Sequence, residues 1–126
     1  GRQMQMEKIV QDGQAAVLIF SDEVLLTDGQ TALDLMMTVQ YETNSSRIAL
    51  NKEAITADFF DLRSGLAGEI VQKFSNYRMK LAIYGDFSAY TSQALRDFMR
   101  ECSQGQTVFF TADRQEALQR LLNASS

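Results

Sequence analysis

The chain has no histidine among its 126 residues. That absence removes the common zinc sites and every His-dependent triad, because each needs a neutral imidazole as ligand or base. Cysteine is almost as scarce. Cys102 stands alone, so an internal disulfide framework is excluded. No apolar run approaches the roughly 20 residues of a membrane span. No signal pattern follows Lys8 either. There is no G-x-G-x-x-G and no Walker-type loop, so a standard nucleotide cradle lacks its glycines. Positive charge is short as well. Lys and Arg number 12 against 16 Asp and Glu, giving a net charge of −4. A general nucleic-acid binder needs the opposite balance to neutralise phosphates.

Hydrophobic residues make up 45% and charged residues 22%, close to the averages for a soluble globular protein. The length suits one domain over residues 1–126 with a single core. Gly1-Arg2-Gln3 reads as an expression remnant, with Met4 or Met6 as the natural start. Residues 1–5 are expected to be tag or unstructured, and residues 123–126 a frayed tail.

Lys8 to Asp12 and Gln14 to Phe20 read as two strands of a hairpin turning at Asp12-Gly13. The run Ala15 to Phe20 is continuously apolar, as an inner strand requires. Thr31 to Tyr41 has helical spacing, with Leu33, Met36, Met37 and Gln40 on one stripe and Leu35 and Val39 beside it. Asp28 or Thr31 caps it. Ile48 to Leu50 is a third strand, and a helix opens between Ala57 and Ser64. Its stripe is Leu62, Leu66, Ile70, Val71, Phe74 and Tyr77. Gly65 and Gly68 each weaken such a helix by about 1 kcal/mol relative to alanine, which makes sense where another backbone or a partner comes close.

Leu81 to Tyr84 is a fourth strand, ended by Gly85 to Ser88. The next helix, capped by Thr91 or Ser92, carries Leu95, Phe98, Met99 and Cys102 at i, i+3, i+4 and i+7. Cys102 therefore reads as a core thiol rather than a nucleophile. Thr107 to Thr111 is a fifth strand, and Asp113 with Glu116 makes a capping box for a last helix bearing Leu118, Leu121 and Leu122. The order ββαβαβαβα implies an α/β domain. Its five-stranded sheet should be mainly parallel, with an antiparallel first strand.

Asp58 to Glu69 is the densest chemistry in the chain: three acids, one arginine, one serine and two glycines. Asp58 and Asp61 could pair for acid–base work or a hard cation, and Asp22 and Asp86 could join them on a rim at the carboxyl ends of the strands. The plainer reading is that acids at a helix start complement its dipole. A receiver-like phosphoaspartate site is poorly matched, since Asn51 stands where the aspartate belongs and Thr111-Ala112-Asp113 has no lysine. Ser64 sits beside Arg63 at a helix start. A phosphate there would add about −1.5 to −2 charges and repel or reshape a partner surface. The residues assign no catalytic group, metal site or cofactor.

Two resemblances follow. The element order is similar to the STAS domain of bacterial anti-sigma factor antagonists, and Asp61-Leu62-Arg63-Ser64-Gly65-Leu66 resembles its Asp-Ser-Ser-Gly-Leu-type motif. Leu62-Arg63 replaces a single small residue of that motif. The resemblance implies that Ser64 takes the phosphoserine position, with Asp61 near the motif's acid. It also implies a kinase-type anti-sigma factor as partner. Over its whole length the chain resembles the bacterial domain of unknown function 4180. The matching stretches are Ser21 to Val24, Ala32 to Met36, Asp58 to Glu69, Gln72 to Arg78 and Gly85 to Phe87. That family implies a cytoplasmic setting and no assigned activity.

Three expectations stand together. A non-enzymatic, partner-binding module would use Asp58, Asp61, Arg63, Ser64, Gly65 and Gly68. A small-ligand or metal-binding protein would use the rim of Asp22, Asp58, Asp61 and Asp86. A homodimer would associate through Met36 and Met37.

Overall fold

Asp12 and Gly13 both take positive φ, 52° and 81°, the backbone of a two-residue hairpin turn that matches strand twist. They join β1 (Met4–Gln11) to β2 (Gln14–Ser21) in antiparallel register, from Gln11↔Gln14 to Met4↔Ser21. The computed structural model describes residues 4–125. After the hairpin come α1 (Gly29–Thr43), β3 (Arg47–Asn51), α2 (Leu66–Asn76), β4 (Lys80–Tyr84), α3 (Gln93–Gln104), β5 (Val108–Thr111) and α4 (Arg114–Asn123). The expected order and the mixed α/β class are both seen.

The sheet runs β1-β2-β3-β4-β5, with β2 to β5 parallel. Each crossover steps the same way along the sheet. Right-handed connections therefore deliver α1, α2 and α3 to one face. Val17, Ile19, Ile48, Leu50, Leu81 and Ile83 pack there with Met36, Ile70, Phe74 and Leu95. Burying each such side chain is worth about 1.5–3 kcal/mol. α4 follows the last strand and covers the other face, where Ala117 and Leu121 meet Ala16, Ala49, Ala82 and Phe109. Small alanines on that face let a single helix lie close to the strands.

Several boundaries differ from the sequence reading. β1 begins at Met4 rather than Lys8, because Met4 and Met6 pair with Ser21 and Ile19 and pack on the core. Met4 and Gln5 are thus strand, while Gly1 to Gln3 lie outside the described residues. α1 starts at Gly29 with Asp28 as its cap, and Thr31 completes the box. Its core face is Ala32, Leu35, Met36 and Val39, whereas Met37 and Gln40 are exposed. Met36 is buried, so Met36 and Met37 do not share a surface.

The segment expected to open α2 instead folds as short 3₁₀ turns, Ala57–Phe60 and Leu62–Ser64, after a further turn at Lys52–Ala54. Gly65, at φ 75°, reverses the chain into α2. It is therefore a turn glycine, and no helix-interior penalty applies to it. At the tail, Ala124 donates to the carbonyl of Leu121 and Ser125 donates to Gln106 at 3.0 Å, so these two residues are tied down. Ser126 lies outside the described residues.

Candidate functional site

The carboxyl ends of the parallel strands are stitched together by side chains. Asn51, buried at the end of β3, accepts from Ser21 N–H at 2.9 Å and donates to Ser21 C=O at 2.8 Å, closing β2 against β3. Tyr84 donates from its hydroxyl to Ile19 C=O at 3.0 Å. Strand order among β2 to β5 never reverses. There is consequently no switch-point crevice of the kind that holds ligands in open α/β sheets.

Above this rim sits an aromatic platform. Phe59 and Phe60 are buried, and Phe60 stacks on Tyr90 with centroids 4.8 Å apart. Phe87 and Phe110 continue the cluster at 5.6 Å. Lys52 donates to Asp86 C=O and places its ammonium 5.0 Å from the centroid of the Tyr90 ring, a cation–π contact. Gly85 makes that approach feasible, because a Cβ there would lie 2.8 Å from the Cβ of Lys52. The loop from Lys52 to Ser64 is thus anchored by two phenylalanines, and its polar residues are displayed outward.

Ser64 is exposed, and its hydroxyl has two local partners. It donates to Asp58 C=O at 2.8 Å and accepts from Leu66 N–H at 3.1 Å, the first amide of α2. Asp61 accepts from Arg63, at 3.1 Å from the backbone N–H and 3.1 Å from Nε. The side-chain hydrogen bond from Arg63, then its backbone, hold the Asp61 carboxyl below the usual carboxylate range. The same contact raises the Arg63 guanidinium. With Arg63 91% exposed, solvent screens this pair, which orders the turn more than it stabilises the fold.

Gly68 lies in the first turn of α2, exposed, with no atom within 4 Å of where a Cβ would be. Among the described residues no close approach is made at Gly68. It occurs instead at Gly29. Glu69 accepts from Gly29 N–H at 2.7 Å, capping the start of α1 with a carboxylate, and a Cβ at Gly29 would come 2.5 Å from that oxygen.

The four rim carboxylates stay separate in role. Asp22 and Asp58 are exposed, Asp61 engages Arg63, and Asp86 accepts from Ser88 N–H at 2.9 Å. The Ser88 side chain and backbone hold Asp86 below the ordinary carboxylate range. Among the described residues, no three Asp, Glu, His or Cys side chains converge to hold a metal ion. Cys102 is half-buried on α3, and burial, with a smaller effect of Glu101, pushes its thiol up to about 11. It is protonated and inert at neutral pH.

A family model described as domain of unknown function (DUF4180) matches residues 11–121. The chain belongs to the DUF4180 family. Comparison with curated proteins gives no match. The match to DUF4180 takes in the entire 3₁₀ segment and all of α2. No described helix of this DUF4180 chain is long and apolar enough to cross a membrane.

Sequence reasoning found the exposed set Asp58, Asp61, Arg63 and Ser64. It missed the clamp by Asn51, the link from Glu69 to Gly29 and the aromatic roof. Asn51 carried a signal, being a lone amide at the end of an apolar strand. The other two depend on contacts 40 and about 30 residues apart in the chain, which local patterns do not encode.

Proposed function

We propose that this DUF4180 chain is a non-enzymatic, STAS-like regulatory module that binds a protein partner and is switched by phosphorylation at Ser64. The supporting observation is the bond from the Ser64 hydroxyl to Asp58 C=O. An unmodified serine donates its proton there. A phosphoserine has an ester oxygen at that position and no proton to give, so the Asp58 carbonyl loses its donor. The added charge of about −1.5 to −2 also sits among Asp58 and Asp61 and competes for Arg63. The turn from Ala57 to Ser64 then reshapes, while Phe59 and Phe60 hold the scaffold beneath. A local charge change thereby becomes a change of surface.

The partner surface comprises Asp58, Asp61, Arg63 and Ser64 with the open ground beside Gly65 and Gly68. The STAS likeness makes a kinase-type anti-sigma factor in the bacterial cytoplasm the class of partner. Affinity capture from a bacterial lysate tests the reading, with wild type beside Ser64→Ala and Ser64→Asp. A kinase-type protein held by wild type and lost from Ser64→Asp supports it, with Ser64→Ala, which also lacks the donor to Asp58 C=O but adds no charge, holding it more weakly than wild type. The same proteins on all three forms refute the switch.

A further inference from the structure

The opposite end of the sheet concentrates positive charge in a chain whose net charge is −4. Arg47 opens β3 and Lys80 opens β4, and the two are register partners on neighbouring parallel strands. Arg78 lies just before Lys80. All three line a cleft of about 540 Å³ with Ser46, Ser75 and Thr107, and no Asp or Glu contributes to its wall.

We propose that this cleft binds a small phosphorylated ligand, with Arg47, Arg78 and Lys80 holding its phosphate group. Like charges on adjacent strands repel, and an anion between them removes the cost. Burial, and less so the charge of Arg47, lower the affinity of Lys80 for its proton, and its ammonium donates to Gln106 C=O, a neutral acceptor that leaves the charge uncompensated. Helix C-termini attract cations, which explains part of Arg47. Its Nη1 donates to the carbonyls of Leu121 and Ala124 at the end of α4. Arg47 is buried, and among the described residues both its acceptors are on Nη1, so only the Nε–Nη2 edge has donors for a ligand that enters the cleft. That edge suits the paired oxygens of a phosphate.

Arg78 adds a second line of support. It takes φ 56° between α2 and β4, a left-handed backbone where glycine or asparagine is usual. That conformation closes the end of α2, with Arg78 N–H donating to Ser75 C=O and Met79 N–H to Phe74 C=O, and it sets an exposed cation in the cleft wall. Hydroxyls of Ser46, Ser75 and Thr107 supply further donors. The volume fits a small metabolite. The overall acidity of the chain disfavours a polynucleotide as the source of the phosphate.

The test is a titration of the full chain with inorganic phosphate, followed by amide chemical shifts at constant ionic strength and neutral pH. Saturating shifts confined to residues 46–47, 75–80 and 106–107 are expected. Arg78→Gln combined with Lys80→Gln should weaken the apparent affinity about tenfold or more, the least that losing two charged contacts costs. Arg96→Gln, at an exposed position of α3 outside the cleft lining, should leave it unchanged. Circular dichroism without phosphate checks that each variant folds. Shifts that never saturate, that scatter over the surface, or that persist equally in the double variant overturn the proposal.

Discussion

Ser64 Oγ lies 2.8 Å from Asp58 C=O, bridging six residues and pinning the last 3₁₀ turn before α2. The same oxygen receives the first amide of α2 at 3.1 Å. One exposed hydroxyl therefore closes a turn and starts a helix.

Removing that hydroxyl should loosen the segment without unfolding the chain. Ser64→Ala is expected to cost about 1 kcal/mol, the usual net worth of such a bond. Hydrogen exchange should accelerate at the amides of Ser64 to Leu66 and remain unchanged in β3 and β4. Uniform acceleration everywhere would show that the bond is not local in effect.

Gly68 offers the opposite experiment. It is an exposed helical glycine with open space around it, so Gly68→Ala should stabilise the isolated chain by roughly 0.5–1 kcal/mol. If a partner uses the open ground beside α2, the same variant should bind it more weakly. Urea denaturation measures the first effect and a binding titration the second.

Asn51 is buried and satisfies both backbone groups of Ser21. Asn51→Ala leaves a buried N–H and C=O without partners. A loss of about 2–3 kcal/mol in urea denaturation is expected. A loss below about 0.5 kcal/mol would mean that water replaces the amide and the clamp is dispensable.

Cys102 should resist alkylation at neutral pH in the folded chain and react quickly once unfolded. Burial pushes its folded thiol up to about 11, above the ordinary thiol value of about 8.5. The folded state thus holds its proton more tightly than the unfolded state. Its contribution to stability is complete below the unfolded value and declines as pH rises from there through about 11. Rapid labelling of native protein at pH 7 would contradict this.

Periodicity and turn chemistry carried the fold. Apolar runs marked the five strands and Asp12-Gly13 the hairpin, and of the cap candidates Asp28 or Thr31, Thr91 or Ser92, and Asp113, the caps are Asp28, Ser92 and Asp113. The opening of α2 was not legible. Leu62 and Leu66 fit a helical stripe, yet Phe60 turns inward to meet Tyr90 and Phe87 and Phe59 to meet Phe110, and that tertiary packing overrides the local pattern. Of the candidate site, the residue types were readable and their partners were not. Glu69 shows why: it reads as one acid of a cluster, and its carboxylate is spent on the amide of Gly29, 40 residues earlier.

The most direct measurement is the dissociation constant of the captured partner for the unmodified chain and for the chain carrying phosphoserine at position 64. Weakening by tenfold or more is the predicted result, with hydrogen exchange confined to the Ala57–Leu66 segment as its structural trace. Equal affinity for the two forms would contradict the switch at Ser64.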